Sequence, residues 1–141
     1  MKILVATEKP FAAAAVNGIK NVAAADGHEL VLLEKYADKQ QLLDAVKDAD
    51  AIIVRSDKIT KEVIDAAEKL RIVVRAGAGY DSIDTAYAKE KGIVVENTPG
   101  QNSNAVAELV FGLLVYTARN FFNGKSGSEL KGKKIGILAF G

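Results

Sequence analysis

The chain has 141 residues, 49% apolar and 26% charged, which suits one globular domain and little more. Its 19 basic and 18 acidic side chains are interspersed and leave a net charge of +1, arguing against nucleic acid or a membrane surface as the main partner. With no cysteine there is no disulfide framework and no thiolate metal site; the apolar run at Met1–Ala6 is too short for a signal peptide and none is of bilayer length, so a cytoplasmic location is expected.

Five short runs rich in Val, Ile and Leu recur along the chain: Lys2–Ala6, Leu30–Leu33, Ala51–Val54, Ile72–Val74 and Ile93–Val95. They do not alternate with polar residues, so they predict strands of a parallel sheet buried on both faces. Helical patterns lie between them. The first begins at Pro10, carries a stripe of Val16, Ile19 and Val22, and ends at Asp26-Gly27. The second covers Gln40–Lys47. The third has Thr60 as its N-cap and Val63, Ile64 and Ala67 as its inner face. The fourth runs from about Ile83 to Lys91 and stops at Gly92. This alternation predicts an α/β fold, a flavodoxin-like doubly wound parallel sheet occupying residues 1–101.

The last third differs. A helix from Asn104 to Asn120, within a segment 102–122, is apolar nearly all round and calls for cover on several sides. A polar, Gly-rich connector at 123–127 leads to Lys133–Gly141, which reads as a new buried strand ending at a glycine. A strand with no helix after it is an unfinished unit, so residues 123–141 are expected to be a connector and the opening strand of a truncated domain.

In open α/β sheets ligands bind beyond the carboxyl ends of the strands. Arg55-Ser56-Asp57 follows the third run and Arg75-Ala76-Gly77-Ala78-Gly79-Tyr80-Asp81 the fourth. Two guanidinium forks there suit a carboxylate or phosphate. Gly77 and Gly79 lack a Cβ and let a ligand approach the backbone. The long helix adds N-terminal donors. Together these favour a small, strongly anionic ligand. Blander readings stand beside this one. Both arginines could be satisfied by surface acids, and Gly77/Gly79 could be a plain turn, since Ser82 replaces the third glycine of a dinucleotide fingerprint. Asn102, Ser103 and Asn104 could be simple N-cap residues. Tyr80 is expected to pack, and Glu8 to be a solvated loop charge. The single histidine, His28, precedes the second run, at the opposite edge. No catalytic residue and no metal ligand set is therefore expected within the chain.

The run Ile52-Ile53-Val54-Arg55-Ser56, then Val73 through Asp84 with Arg75-Ala76-Gly77-Ala78-Gly79, then Gly92-Ile93-Val94-Val95-Glu96-Asn97-Thr98-Pro99-Gly100-Gln101-Asn102-Ser103, closely resembles the D-2-hydroxyacid dehydrogenases. Within them it is most similar to those acting on D-3-phosphoglycerate. The resemblance implies the substrate-binding domain of an NAD-dependent oxidoreductase making 3-phosphohydroxypyruvate, the first step of serine biosynthesis. It implies that Arg55, Ser56, Arg75, Ala76, Gly77, Gly79 and Asn102 serve the substrate. Ala78, Asn102 and Ser103 would lie against the cofactor. The long helix would cross between domains and help form a homodimer. The catalytic arginine, glutamate and histidine would belong to a downstream NAD-binding Rossmann domain and have no counterpart here. Ala139 and Gly141 would stand at the first two glycine positions of its pyrophosphate motif, so a chain ending there is expected to be inactive alone.

Two alternatives stay open on the residues: a related enzyme acting on glyoxylate, lactate or another 2-hydroxyacid, and a non-enzymatic flavodoxin-like module that binds an anion. A phospho-acceptor receiver fits poorly, because Arg55 follows the third run where an aspartate is needed.

Overall fold

A computed structural model describes residues Met1–Leu138. The chain divides into two units, Met1–Gln101 and a second beginning at Asn102.

The first unit is a five-stranded, all-parallel sheet in the order β2-β1-β3-β4-β5, the expected flavodoxin-like arrangement. The strands are β1 (Lys2–Thr7), β2 (Glu29–Glu34), β3 (Ala51–Val54), β4 (Ile72–Arg75) and β5 (Val94–Asn97), with helices α1 (Ala13–Ala25), α2 (Lys39–Val46), α3 (Lys61–Ala66) and α4 (Thr85–Glu90) between them. Alternate side chains of the central strands, Leu4, Ala6, Ile52, Val54 and Val73, pack against Leu42 and Val46 of α2, Val63 and Ile64 of α3, and Ala88 of α4. A fully buried side chain of this size contributes about 1.5–3 kcal/mol relative to exposure, so this face holds the sheet together. On α1 an apolar cavity brings Ile19, Val22 and Ala23 near Ile3 and Ile53.

Burial on both faces holds only at the centre. Thr7, Leu4, Val5 and Ala6 of β1 are fully buried, whereas β2 and β5 alternate between exposed and half-covered. A strand at a sheet's edge has one neighbour and fewer helices over it. The first helix begins three residues later than expected, at Ala13, because Pro10 and Phe11 belong to the loop leaving β1. Its inner residue is Ala23, while Val22 is 68% exposed. Asp38 caps α2 in a reciprocal box with Gln41. Thr60 does stand at the N-cap of α3, but its hydroxyl makes no capping bond. In α4 the start moves to Thr85, with Asp84 Oδ1 accepting from the Tyr87 N–H at 3.0 Å. Ile83 is instead drawn into a parallel bridge with Ile59.

The second unit contains α5 (Ser103–Ala118) and a short 3-10 turn, Asn120–Phe122, whose three residues all have positive φ. No residue of α5 is buried, so the cover expected for its apolar surface is not met among the described residues. Residues 133–138 form no strand, and Leu138 is 97% exposed. Extended backbone becomes a strand only when a neighbouring strand takes up its N–H and C=O groups, and no described strand pairs with residues 133–138. The expected glycine-motif positions Ala139 and Gly141 lie outside the described residues. Among the described residues no helix is long and apolar enough to cross a membrane.

Candidate functional site

The in-register pairing of Val54 with Arg75, and of Arg75 with Asn97, brings the loops after β3, β4 and β5 to one edge. Three cross-loop bonds hold them there. The Ala76 N–H donates to the Val54 carbonyl at 2.8 Å and the Thr98 N–H to the Gly77 carbonyl at 2.9 Å. The Asn97 amide donates to the Ala78 carbonyl. The Ile59–Ile83 bridge adds a further tie, with the Ile59 N–H on Ser82 and the Asp84 N–H on Ile59, both at 2.9 Å.

This edge collects Arg55, Ser56, Arg75, Ala76, Gly77, Ala78 and Gly79. Arg55 and Ser56 are exposed, and Arg75 is half-buried. Arg75 Nε donates to the Arg55 carbonyl at 2.8 Å, so one arginine's backbone seats the other's side chain. Among the described residues Arg55 Nη1 reaches only the Pro10 carbonyl, at 3.5 Å. Among the described residues the ion pairs are all made by lysines, and no carboxylate neutralises either guanidinium. The surface-acid reading of the two arginines therefore does not hold. Asn102 and Ser103 belong to the second unit: Asn102 stands before α5, its carbonyl accepting from the Val106 N–H, and Ser103 is the first residue of that helix.

The glycines act differently from expectation. A Cβ at Gly77 would lie 1.9 Å from Arg75 Nη1, so the missing side chain makes room for the guanidinium itself. The Ala76 N–H is used by β3, and the Gly77 N–H by the Arg75 carbonyl at 2.9 Å. Among the described residues the N–H groups of Ala78 and Gly79 donate to no acceptor. Tyr80, expected to pack, is 54% exposed. Glu8 has an exposed side chain, as expected of a loop charge.

Asp57 and Tyr36 belong to the same edge and were given no role by sequence reasoning. Asp57 is a carboxylate only 4% exposed. Its Oδ1 accepts from the Glu8 N–H at 2.8 Å and the Tyr36 hydroxyl at 2.7 Å. Its Oδ2 faces the N–H groups of Arg55 and Ser56 at 3.4 and 3.3 Å. Burial, and then the bond to Asp57, pushes the Tyr36 phenol above its ordinary range, so it stays a protonated donor. The signal in the sequence was an aspartate three residues after a strand end, where its side chain can take up the turn's N–H groups. Asp57 and Tyr36 also line a cavity of about 340 Å³ with Glu8, Lys39, Ser56 and Thr60. Among the described residues no group with metal-binding composition exists.

The edge thus offers two unpaired guanidinium groups and free backbone N–H donors, a surface for a small anion. A family model for the catalytic domain of D-isomer specific 2-hydroxyacid dehydrogenases matches residues 4–130. D-3-phosphoglycerate dehydrogenase of Methanocaldococcus jannaschii is 43% identical over 73% of this chain and 22% of its own length. Hydroxypyruvate reductase of Thermotoga maritima is 39% identical over 80% of this chain and 42% of its own. A crystal structure of NAD+-bound 3-phosphoglycerate dehydrogenase from Entamoeba histolytica superimposes with a TM-score of 0.89 at 53% identity, covering 93% of this chain and 43% of that one. The chain therefore spans less than half the length of these relatives, and it belongs to the D-isomer specific 2-hydroxyacid dehydrogenase family.

Proposed function

We propose that this chain is the substrate-holding part of a cytoplasmic, NAD-dependent oxidoreductase that converts D-3-phosphoglycerate to 3-phosphohydroxypyruvate, the first step of serine biosynthesis. The observation that carries this reading is the pair of guanidinium groups without carboxylate partners at the ends of adjacent strands. Arg55 and Arg75 hold the substrate's phosphate and carboxylate, helped by the Ser56 hydroxyl and the Gly79 N–H. Ala78 borders the cofactor. Fixing both charged ends of the substrate leaves its reacting carbon in one orientation.

The described residues do not fit the dinucleotide's pyrophosphate. A pyrophosphate site needs a strand that runs through a glycine-rich turn into a helix. After β4 and Gly77/Gly79 the chain makes the Ile83 bridge before α4 begins, so that turn does not lead directly into a helix. The chain's own part is to bind and orient the anion, with the hydride acceptor held by a separate NAD-binding domain and the pair of chains joined through α5 as a homodimer.

NMR titration with 3-phosphoglycerate tests the reading. The chain is expected to bind it more tightly than D-glycerate, which lacks the phosphate. Arg55→Gln and Arg75→Gln should each weaken it by about ten- to a hundredfold, the loss of one charge-assisted contact. Arginine variants that bind like the parent chain would sink the assignment. The 39% identity to a hydroxypyruvate reductase favours a second reading, a substrate without phosphate, and equal affinity for D-glycerate would select it.

A further inference from the structure

We infer that Asp57 is the positioning residue of the anion site, a single buried carboxylate that sets the placement of both arginines. This rests on the proposed use of Arg55 and Arg75. A carboxylate 4% exposed is costly to bury unless its oxygens are satisfied. Here they are satisfied by donors from three separate loops: the Glu8 N–H after β1, the Tyr36 hydroxyl after β2, and the Arg55 and Ser56 N–H groups after β3. The two short bonds, at 2.8 and 2.7 Å, fix the carboxylate against β1 and β2. The two longer ones close the turn that carries Arg55. The carbonyl of that same residue then receives Arg75 Nε at 2.8 Å. The order of dependence is Asp57 to the Arg55 peptide, and the Arg55 peptide to the Arg75 guanidinium. Asp57 acts through Arg55 and Arg75, since both of its oxygens already accept from these backbone and phenol donors.

Asp57→Asn keeps the shape but replaces one oxygen with an NH2 group, which cannot accept. One half of the donor set is then left facing a donor. The Arg75 Nε–H resonance reports the last link without any ligand. In Asp57→Asn it is expected to move towards that of a free guanidinium while methyl resonances of Leu4, Ile52 and Val73 stay in place. Affinity for 3-phosphoglycerate is expected to fall by about tenfold in the same variant, through loss of the seat for one charge-assisted contact. An unmoved Arg75 Nε–H resonance, or an affinity within twofold of the parent, overturns the inference. Should Asp57→Asn fail to fold, Tyr36→Phe removes one donor and keeps the carboxylate. It should move the same resonance in the same direction by less, and no movement there is equally decisive. A parent chain that shows no binding of 3-phosphoglycerate counts against the proposed substrate alone, because the resonance still decides whether Asp57 seats the arginines.

Discussion

Gly77→Ala separates the anion site from the fold. The added Cβ would lie 1.9 Å from Arg75 Nη1 and 2.4 Å from its Cζ, so the guanidinium must leave its seat. The backbone does not resist the change, because Gly77 is not among the glycines with positive φ. Departure of the side chain breaks the 2.8 Å bond from Arg75 Nε to the Arg55 carbonyl, whose net contribution at a solvent-accessible site is about 1 kcal/mol. Replacing glycine by alanine at a tolerated position returns about 0.4–1 kcal/mol by restricting the unfolded chain. The two nearly cancel, and the urea midpoint should hardly change. Binding should change more. A displaced Arg75 forfeits a charge-assisted contact worth about 1.5–3 kcal/mol, roughly ten- to a hundredfold in affinity for 3-phosphoglycerate. Parallel urea melts and NMR titrations measure both quantities. Unchanged affinity in a folded variant would show that the seat of Arg75 is irrelevant to the ligand. A stability loss above about 3 kcal/mol would show that Gly77 does more for the fold than make room for Arg75.

Two other outcomes follow from the same geometry. The Tyr36 phenol has its pKa raised above the ordinary 10.0, so the stability it lends is fully present below about pH 10 and is lost as pH rises through the folded value. Tyr36→Phe should therefore lose stability less steeply than the parent chain above pH 10 in parallel urea melts, and coincident slopes would refute the assignment. On α5, Leu109 and Phe111 are 60% and 66% exposed on a helix with no buried residue. If α5 joins two chains, Leu109→Glu should shift light scattering from dimer to monomer and leave the sheet's circular dichroism unaltered; a parent chain that is already monomeric at high concentration would rule the dimer out.

The sheet was legible in the sequence because its signal is local and redundant. Five apolar runs separated by helical patterns allow few arrangements, and the observed order is the expected one. Exposure at the edges was not legible, because Leu32 and Val94 look like Ile52 in composition and differ only in how many neighbours reach them. Arg55 and Arg75 could be singled out because position after a strand, in a parallel sheet, already fixes the edge they occupy. What each glycine does could not be read, since Gly77 serves the side chain of Arg75, a contact that depends on a rotamer. Asp57 was missed for a related reason. Its importance comes from Glu8 and Tyr36, 49 and 21 residues away, and nothing in the local turn announces them. Of the strand expected at 133–141, the described residues 133–138 are not in a strand, for hydrophobicity proposes a strand but only a neighbouring backbone makes one.

The bond between Asp57 and the Glu8 N–H has a consequence for the order in which the molecule comes together. It closes a loop of 49 residues and presupposes that β1 and β3 are already paired. Contacts of such separation form only after the entropy of closing the intervening chain has been offset by the strands that bring them together. The helices, with caps such as Asp38 and Asp84 close in sequence, need no such preparation. A chain opened between β1 and β3 thus loses the closure of the turn that carries Arg55, and anion affinity would be among the last properties gained in folding and the first lost on opening.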